Sequence, residues 1–447
     1  MPRFTRLIST IVLAVLTFSV SAKVIQVLPG HNTMQPAIAQ LVNGDTLVLV
    51  DGTYTVDTTP VLTVSATIRS ISPGIRPRLV YTGYGPSQRA LELSSTSTVA
   101  IIQGLDFVTH PDNAGTGWTS GLWSQAVTLR LIDTRISDVL TVWSGSSVIV
   151  GNSLPGVTNV SGPSTVFAGN TVSGTGAAIN STISYITGNR FACTARVLAN
   201  GTNQKPCALL NIASPVSYVV ANRFEHDVDG LLSFIASDTI RALNVTGANR
   251  HIYNNLFDFK GGGMFFTAAG IVQAINTTNG INDVANNLVV FSGNMPVPSK
   301  VESSAINLVG VGRATNNMVV DFAGLAMSSN NDLIEYVYNL CSGVGDLGKC
   351  TPDNNNVSTA PQFAETTNYT LATGSPAVNG GDPGLHLSDL DGTRSDIGLH
   401  GGRFGFLQYD LQRADTGKPY LYPLFDEVNL SNLNEVVVKA ISIARFK

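Results

Sequence analysis

The sequence predicts an all-β fold, a single-domain right-handed parallel β-helix, and three observations support this. A short phrase containing asparagine recurs along the 447-residue chain, as at Asn152, Asn170, Asn189 and Asn222. Apolar residues usually alternate around it, as in the segment 218–224. Charged residues make up 13% of the chain, about half the usual share of roughly 25%. Self-similarity at a period of about 20–50 residues is typical of a solenoid, in which each coil packs on the next.

The recurring asparagine predicts a ladder at a sharp turn of each coil. Later phrases place asparagines at 254–255, 286–287, 316–317 and 339, while Asp106 and Asp133 hold the corresponding place in two earlier phrases. Asparagine suits such a turn because it tolerates the left-handed conformation and its side chain mimics a turn. The steps lengthen after Asn189, so the later coils carry insertions. We expect roughly ten to twelve coils.

The first 22 residues have the pattern of a secretory signal peptide. Arg3 and Arg6 precede a mostly apolar run from Leu7 to Val20, and Ala22 ends a small-residue cleavage site. Cleavage would change the formal charge from −4 to −6, because this segment contains two arginines and no acidic residue. An acidic mature chain argues against nucleic acid as a partner. We predict a secreted, extracellular or cell-surface monomer without a transmembrane segment after cleavage.

Residues 23–402 are predicted to form the β-helix, and residues 403–447 a tail that packs on or beyond the last coil. Within the β-helix, residues 23–60 would form a cap and the first coil, with a short helix from Thr33 to Leu41. The end coil of a solenoid exposes core and strand edges, so it needs such a cover.

The four cysteines predict two local disulfides. Cys193 would pair with Cys207, and Cys341 with Cys350, each closing a small loop. An exported chain favours disulfides over free thiols. Because no C-x-x-C spacing is present, a zinc site is disfavoured.

Two phrases resemble the pectate-lyase-like β-helix superfamily of secreted proteins. Residues 44–54 read GDTLVLVDGTY, and residues 374–402 contain GSPAVNGGDP followed by DLDGTRSDIGLHGG. The second phrase resembles the ending of many exported parallel β-helix proteins, with Asn379 where aspartate is commoner and Leu399-His400 in place of Ala-Tyr. The resemblance implies the architecture of most of the mature chain and no particular chemistry, since one fold hosts many functions.

A cluster of ionisable residues is predicted on the coils with the longest insertions. Residues at equal offset from successive ladder asparagines lie about 4.8 Å apart along the axis. This register aligns Arg190 with Arg223 and Glu225 with Asp258. The converging set would consist of Arg190, Arg223, Glu225, His226, Asp227, Asp229, Asp258 and Lys260.

The resemblance implies a chemistry for this set. In lyases of that superfamily, carboxylates hold Ca²⁺, the ion offsets a uronate carboxyl, and a basic side chain removes the neighbouring proton. The metal ligands would be Glu225, Asp227 and Asp258. The catalytic groups would be Lys260, Arg223 and His226. The polysaccharide would contact Arg190, Arg250, Trp118 and Trp123, the two tryptophans forming a sugar-stacking surface with Tyr81 and Tyr84.

The leading hypothesis is an extracellular polysaccharide-binding protein that acts as a polysaccharide lyase on a uronate-containing polymer, with Ca²⁺ and no organic cofactor. Two alternatives stay open: a non-catalytic, adhesin-like surface or matrix protein, and a glycoside hydrolase that uses paired carboxylates. Charged residues after a turn most often form only a solvated face, so the site hypothesis depends on their geometry.

Overall fold

The computed structural model describes residues 22–443 apart from a set of gaps. The gaps are 84–88, 97, 109–119, 138, 144, 156, 174–175, 196–208, 229–232, 235–238, 262–264, 267–270, 293–302, 385–386, 403, 407–419 and 425–438. Almost all regular structure is parallel β-strand, stacked coil upon coil. The predicted parallel β-helix is therefore confirmed.

Each coil contributes strands to three faces, which we name by their place relative to the asparagine turn. Face A precedes the turn, face B follows it, and face C leads back to face A of the next coil. Faces A and C merge into one 23-stranded sheet, because the long strands Thr158–Ala168 and Ala177–Thr187 run through both. Face B is a separate 13-stranded sheet.

The strands of face A are Val24–Val27, Thr46–Leu49, Ala66–Ser70, Val99–Gln103, Thr128–Ile132, Ser146–Val150, Thr158–Ala168, Ala177–Thr187, Val216–Val220, Asn249–Tyr253, Ile281–Ala285, Val311–Thr315 and Ile334–Val337. Those of face B are Gly30–His31, Thr53–Val56, Arg78–Tyr81, Asp106–Val108, Arg135–Ile136, Ser153–Leu154, Thr171–Ser173, Arg190–Ala195, Arg223–Val228, Leu256–Gly261, Leu288–Ser292, Met318–Val320 and Leu340–Ser342. Face C adds Val61–Leu62, Arg89–Leu93, Ser120–Ser124, Val139–Val142, Leu210–Ile212, Thr239–Val245, Ile271–Thr277, Ser304–Leu308, Leu325–Ser329 and Asp346–Gly348.

Four further strands and two short helices complete the regular structure of the described residues. Ser233–Phe234 pairs in parallel with Phe265–Phe266, and Tyr420–Leu424 pairs antiparallel with Lys439–Ile443 in the predicted tail. The helix Met34–Ile38 covers the first coil, as predicted, with Met34 fully buried. A 3-10 helix spans Pro352–Asn354.

Face B has thirteen rungs across the described residues, more than the ten to twelve that we expected. The first five of these rungs, from Gly30–His31 to Arg135–Ile136, precede the first ladder asparagine, Asn152. Counting coils by the asparagine phrase therefore misses most of these five early rungs.

The interior of the coils is filled by the inward-facing half of each strand. Under face B, the rings of Phe191, Phe224 and Phe257 stack with centroids 4.9 and 4.6 Å apart. A second column runs through Phe259 and Phe291 at 4.5 Å. Stacked aromatic pairs of this kind add about 0.5–1.5 kcal/mol beyond the burial of their area. They hold successive rungs of face B in register.

A ladder of nine buried asparagines lines the turn between faces A and B in the part of the chain that the structure describes. Its members are Asn152, Asn170, Asn189, Asn222, Asn255, Asn287, Asn317, Asn339 and Asn356. Asn255 shows the pattern: its Oδ1 accepts from the backbone N and Nδ2 of Asn222 at 2.9 and 3.0 Å. Its Nδ2 donates to Val219 O at 2.8 Å and to Asn287 Oδ1 at 2.9 Å. The predicted ladder is thus confirmed, and Asn356 extends it by one rung.

The two aspartates assigned to the ladder lie elsewhere, so that part of the prediction was wrong. Thr134 occupies the rung before Asn152, and its backbone N donates to Asn152 Oδ1 at 2.9 Å. Asp133 stands one residue earlier with φ of 47°, a left-handed position that Asn254 fills in a later coil with φ of 52°. Asp106 lies after the turn, beside Arg135 on face B.

After the last rung the chain turns back, and residues 358–406 pack along the corner between faces A and B. We call this segment the C-terminal arm. Its apolar side chains, including Tyr369 and Leu399, join Leu256 of face B in a second buried cluster. Asn254 Nδ2 donates to the carbonyls of Leu399 and Gly401 at 2.9 and 2.7 Å. The phrase 374–402 therefore covers the side of the helix and adds no rung to it.

The disulfide between Cys341 and Cys350 is present as predicted. The predicted bond between Cys193 and Cys207 lies outside the described side chains. Within the described segments, no helix has the length and apolarity needed to cross a membrane.

Candidate functional site

Three adjacent strands of face B bring most of the predicted ionisable cluster together. Arg190 pairs in register with Arg223, and Glu225 pairs with Asp258. Lys260 lies two residues beyond Asp258, so it points to the same outer side of the sheet. The alternation of strand residues and the one-coil register therefore place five of the eight predicted residues, all with described side chains, on one surface. Asp229 lies outside the described residues. We call Arg190, Arg223, Glu225, Asp258 and Lys260 the face B cluster.

Glu225 is held between the two arginines of the cluster. Its Oε2 accepts from Arg190 Nε at 2.8 Å, and its Oε1 forms an ion pair with Arg223 Nε at 2.5 Å. Burial alone would raise the pKa of Glu225, but the hydrogen bond and charge of Arg190, with those of Arg223, outweigh it and lower the pKa. Glu225 is therefore a carboxylate whose charge is already balanced.

Asp258 is fully buried and is also surrounded by donors and cations. Lys260 Nζ lies 3.0 Å from its Oδ2, and Arg223 Nη2 lies 4.0 Å from the same atom. The hydroxyl of Tyr369, from the C-terminal arm, donates to Oδ1 at 3.2 Å. Burial and the charge of Asp258 raise the pKa of Tyr369 well above its ordinary value. The buried acid thus anchors both the exposed lysine and the arm.

The C-terminal arm makes further contacts with the face B cluster through residues 365–370. Arg223 Nη2 donates to Thr367 O at 3.0 Å. Glu365 closes this loop by accepting from the backbone N atoms of Thr367 and Thr370 and from the Thr370 hydroxyl, the last at 2.7 Å. Burial opposes its ionisation, yet these hydrogen bonds lower the pKa of Glu365 to about 2. The loop therefore depends on a charged Glu365.

We expect the contact between loop 365–370 and face B to weaken in acid. Because folding lowers the pKa of Glu365 from 4.5 to about 2, its stabilisation is complete above pH 4.5 and is lost as the pH falls toward 2. Hydrogen exchange of this loop measured across that range would show the loss. Thr370→Val removes one donor and should move the loss to higher pH. An unchanged midpoint in Thr370→Val would contradict this account of the loop.

The cluster does not suit Ca²⁺. Both oxygens of Glu225 are engaged by arginines, and both oxygens of Asp258 are engaged by Tyr369, Lys260 and Arg223. Ca²⁺ needs six to eight oxygen ligands, with carboxylates free to face the ion. No group of three acidic, histidine or cysteine side chains with metal-binding geometry occurs among the described residues. Asp227, the third predicted ligand, lies in the strand Arg223–Val228, but its side chain is outside the described residues.

His226 lies in the core, so its predicted place in the surface cluster was wrong. It is 1% exposed, and its ring stacks on Phe259 with centroids 5.8 Å apart. Burial lowers its pKa to about 4. The physical reason is the two-residue period of a strand: His226 directly follows Glu225, so the two side chains point to opposite sides of face B.

Arg250 is also buried, and the predicted contact with substrate was wrong. It lies on face A and is 1% exposed. Its guanidinium donates to Asn282 Oδ1 at 2.9 Å and to the carbonyls of Asn279 and Gly247. Burial lowers its pKa to about 10. This arginine holds the start of two successive coils together from the inside.

The predicted aromatic surface is only partly described. Trp118 and Tyr84 lie outside the described residues, and Tyr81 is buried, its hydroxyl donating to Asp57 O at 3.2 Å. Trp123 lies on face C, away from the face B cluster, with the Arg89 guanidinium over its ring. Its ring meets that of Trp143 edge to face at 6.3 Å, and Trp143 is 53% exposed. Its aromatic partner is thus Trp143, which the sequence argument did not single out.

Sequence reasoning also missed a second row of asparagines, on the outer side of face C. The row consists of Asn211, Asn244, Asn276 and Asn307. Asn244 Nδ2 donates to Asn211 Oδ1 at 3.2 Å, and Asn276 Nδ2 donates to Asn244 Oδ1 at 2.8 Å. The spacing of 31–33 residues, close to that of the main ladder in these coils, was a signal that could have revealed it.

Comparisons with known proteins bear on the fold alone. No protein-family profile matches the chain, and no curated protein sequence matches it. Among solved structures, the alginate lyase AlyF-OU02 in complex with G6 is 12% identical, with a TM-score of 0.36, and the match covers 79% of this chain and 92% of that one. The pectate lyase Pel9A is 13% identical, with a TM-score of 0.34, covering 86% of this chain and 98% of that one. A PL6 alginate lyase in complex with a trisaccharide is 10% identical, with a TM-score of 0.26 over 79% and 92%. At these values the likeness carries no argument about what this chain does.

Proposed function

We propose that this protein binds an acidic polysaccharide along the outer side of face B, as an extracellular protein. The observation that carries the proposal is the geometry of the face B cluster. Two cationic side chains, Arg190 and Lys260, are 42% and 51% exposed. Each is fixed by a carboxylate that is itself at least four-fifths buried. Among the described side chains, the cluster brings three cations, Arg190, Arg223 and Lys260, against two carboxylates.

A row of basic residues continues from the cluster along the same side. One position of face B is aligned in register over seven successive rungs and holds four arginines. Its residues are Arg78, Asp106, Arg135, Ser153, Thr171, Arg190 and Arg223. Arg78 and Arg135 are exposed. Six steps of about 4.8 Å give a line of about 29 Å, long enough for several sugar residues. An extended polymer of acidic sugars carries carboxylates at regular intervals, which matches cations at intervals along one straight line.

The arrangement favours binding of an anion over storage of a metal ion. Arginine presents a planar fork of donors that matches a carboxylate in two contacts. Because Glu225 fixes the Arg190 guanidinium from one side, less side-chain entropy is lost when a ligand carboxylate arrives from the other. The serine and threonine between the arginines can donate hydrogen bonds to sugar hydroxyls. The signal-peptide pattern and the Cys341–Cys350 disulfide fit an exported protein.

We expect Arg190→Gln to weaken binding of polygalacturonate or alginate by roughly five- to tenfold, since one exposed charged contact is worth about 1 kcal/mol. Arg135 lies about 14 Å away, three rungs along, so Arg135→Gln should add a similar loss to that of Arg190→Gln. Arg130→Gln is the matched control, because Arg130 is an exposed arginine on face A. Affinity electrophoresis or calorimetry at low salt, with dextran as the neutral polymer, would measure the effect.

Two outcomes would contradict this proposal. If Arg130→Gln weakens binding as much as Arg190→Gln, then general charge and not face B is responsible. If dextran binds as well as the acidic polymers, the ligand class is wrong. Chelation should leave the affinity unchanged, because the cluster balances its carboxylates without a metal ion.

The second candidate function is β-elimination on the bound uronate, with Lys260 as the group that takes the proton. The position of Lys260 favours this function. Its exposed amine lies one coil from Arg223, on the side of the sheet where the arginines would hold a carboxylate of the polymer. Its ion pair with Asp258 weighs against it, since a general base must offer a free lone pair. Release of unsaturated uronate, followed by ultraviolet absorbance, tests this. Lys260→Arg should keep the binding and abolish the release; no release by the wild type would leave binding as the function.

A further inference from the structure

A cavity lies on the other side of the asparagine turn, between face A and the C-terminal arm. Its volume is about 110 Å³, several times what one water molecule needs. Face A supplies its floor and the arm supplies its outer wall. The lining includes Tyr253, Asp283, Arg313, Thr315, Leu387 and Phe404. None of these residues belongs to the face B cluster.

Hydrogen-bonding groups on the rungs of face A converge on this cavity. The hydroxyl of Tyr253 donates to Asp283 Oδ2, and His251 Nδ1 lies 3.3 Å from the same oxygen. Arg313 Nη2 pairs with Asp382 Oδ2 of the arm at 2.7 Å, and Arg313 Nε lies 3.0 Å from a Glu335 oxygen. Carboxylates and cations are therefore mixed here.

Thr315 places a hydroxyl without a described partner on the floor of the cavity. It lines the cavity floor and is 2% exposed. Its hydroxyl has no hydrogen-bond partner among the described residues. A buried polar atom without a partner is uncommon in folded proteins and costs about 1–3 kcal/mol. A molecule in the cavity that offers a hydroxyl would satisfy this group.

The wall of the cavity is aromatic. The rings of Tyr253 and Phe404 stack with centroids 5.4 Å apart and planes 18° from parallel. Pockets for small molecules commonly combine such an apolar surface with a few fixed polar groups. Here the polar groups are one carboxylate acceptor, one guanidinium donor and one hydroxyl, all on adjacent rungs.

We propose that this cavity is a second ligand site, which takes one neutral sugar ring. Asp283 would accept hydrogen bonds from ring hydroxyls, Arg313 would donate to them, and the Thr315 hydroxyl would complete the floor. The apolar side of the ring would lie against Tyr253 and Phe404. The carboxylates around Arg313 disfavour an anionic sugar, so the ligand class differs from that of face B. The site lies on a different face and does not depend on the function proposed there.

The test uses methyl glycosides of glucose, galactose and mannose as probes, with glucuronate as the acidic comparison. Saturation-transfer NMR and calorimetry on the whole protein should show that one glycoside binds with a Kd on the order of 1 mM. Thr315→Val keeps the side-chain volume and should weaken that binding by about fivefold or more. Thr187→Val is the matched control: Thr187 stands on the same column of face A, four rungs earlier, with a buried hydroxyl that also has no partner among the described residues.

The proposal is overturned if no glycoside binds, if glucuronate binds as tightly as the best glycoside, or if the two valine variants behave alike. Arg190→Gln provides the separation from the function proposed for face B, because it should leave glycoside binding unchanged. Loss of polymer binding in that variant with intact glycoside binding would show two sites. Equal loss of both would overturn the second site.

Discussion

Replacement of Asn255 by alanine should lower the free energy of unfolding by about 3–4 kcal/mol, because four buried hydrogen bonds lose a partner. The Asn255 side chain accepts from the backbone N and the amide of Asn222 and donates to Val219 O and Asn287 Oδ1. All of these groups lie at the turn, where water cannot replace the missing partner. Chemical denaturation of the protein would measure the change.

Asn244→Ala provides the comparison within the same protein. Asn244 belongs to the outer row on face C and is only half-buried, so we expect a loss of about 0.5–1 kcal/mol. Asn255→Asp is a second test, since it keeps the shape but removes both donated bonds. If Asn255→Ala and Asn244→Ala cost the same, the buried ladder does not stabilise the turn in the way described.

Replacement of Arg250 by leucine should be about as damaging, at about 3–5 kcal/mol. The substitution leaves Asn282 Oδ1 and the carbonyls of Gly247 and Asn279 without their donor inside the coil. Polymer affinity of the folded fraction should not change, because Arg250 does not reach the surface. Denaturation curves and binding curves recorded on the same sample would separate the two effects.

Arg250→Lys should recover only part of the stability, since lysine has a point charge where arginine spans three acceptors. The exposed Arg130 on the same face serves as the reference position, and Arg130→Leu should change stability by less than about 0.5 kcal/mol. If a variant of Arg250 folds with unchanged stability but loses polymer affinity, the role in substrate binding that the sequence predicted for Arg250 would be correct after all.

The fold could be predicted because the short asparagine phrase that determines it is local in sequence and recurs in successive coils. Each asparagine on the ladder occupies the same place in a segment of alternating apolar and polar residues. The register of Asn152, Asn189 and Asn222 could therefore be read from the sequence. That register also placed Arg190 against Arg223 and Glu225 against Asp258, as the structure shows. The early coils were missed because their ladder position holds no asparagine, as at Leu105 and Thr134.

The site was less predictable for two physical reasons. The offset from the ladder gives the position of a residue along the axis, but it does not say which side of the sheet the side chain faces. The two-residue alternation of the strand determines that side. It sends His226 inward beside Phe259, while Glu225 points outward. Second, the C-terminal arm reaches the cluster from more than 100 residues away: Tyr369 and Asp258 are 111 residues apart in sequence. No repeat connects them, so the burial of Asp258 could not be anticipated.

The most direct test of binding on face B is arginine labelling of the bound complex. Phenylglyoxal modifies exposed arginines, and mass spectrometry reads each position separately. With polygalacturonate present, Arg78, Arg135 and Arg190 should be protected, while Arg130 on face A should be labelled as in the free protein. Protection of Arg130 with unchanged labelling of Arg135 and Arg190 would place the polymer on another face and contradict the account.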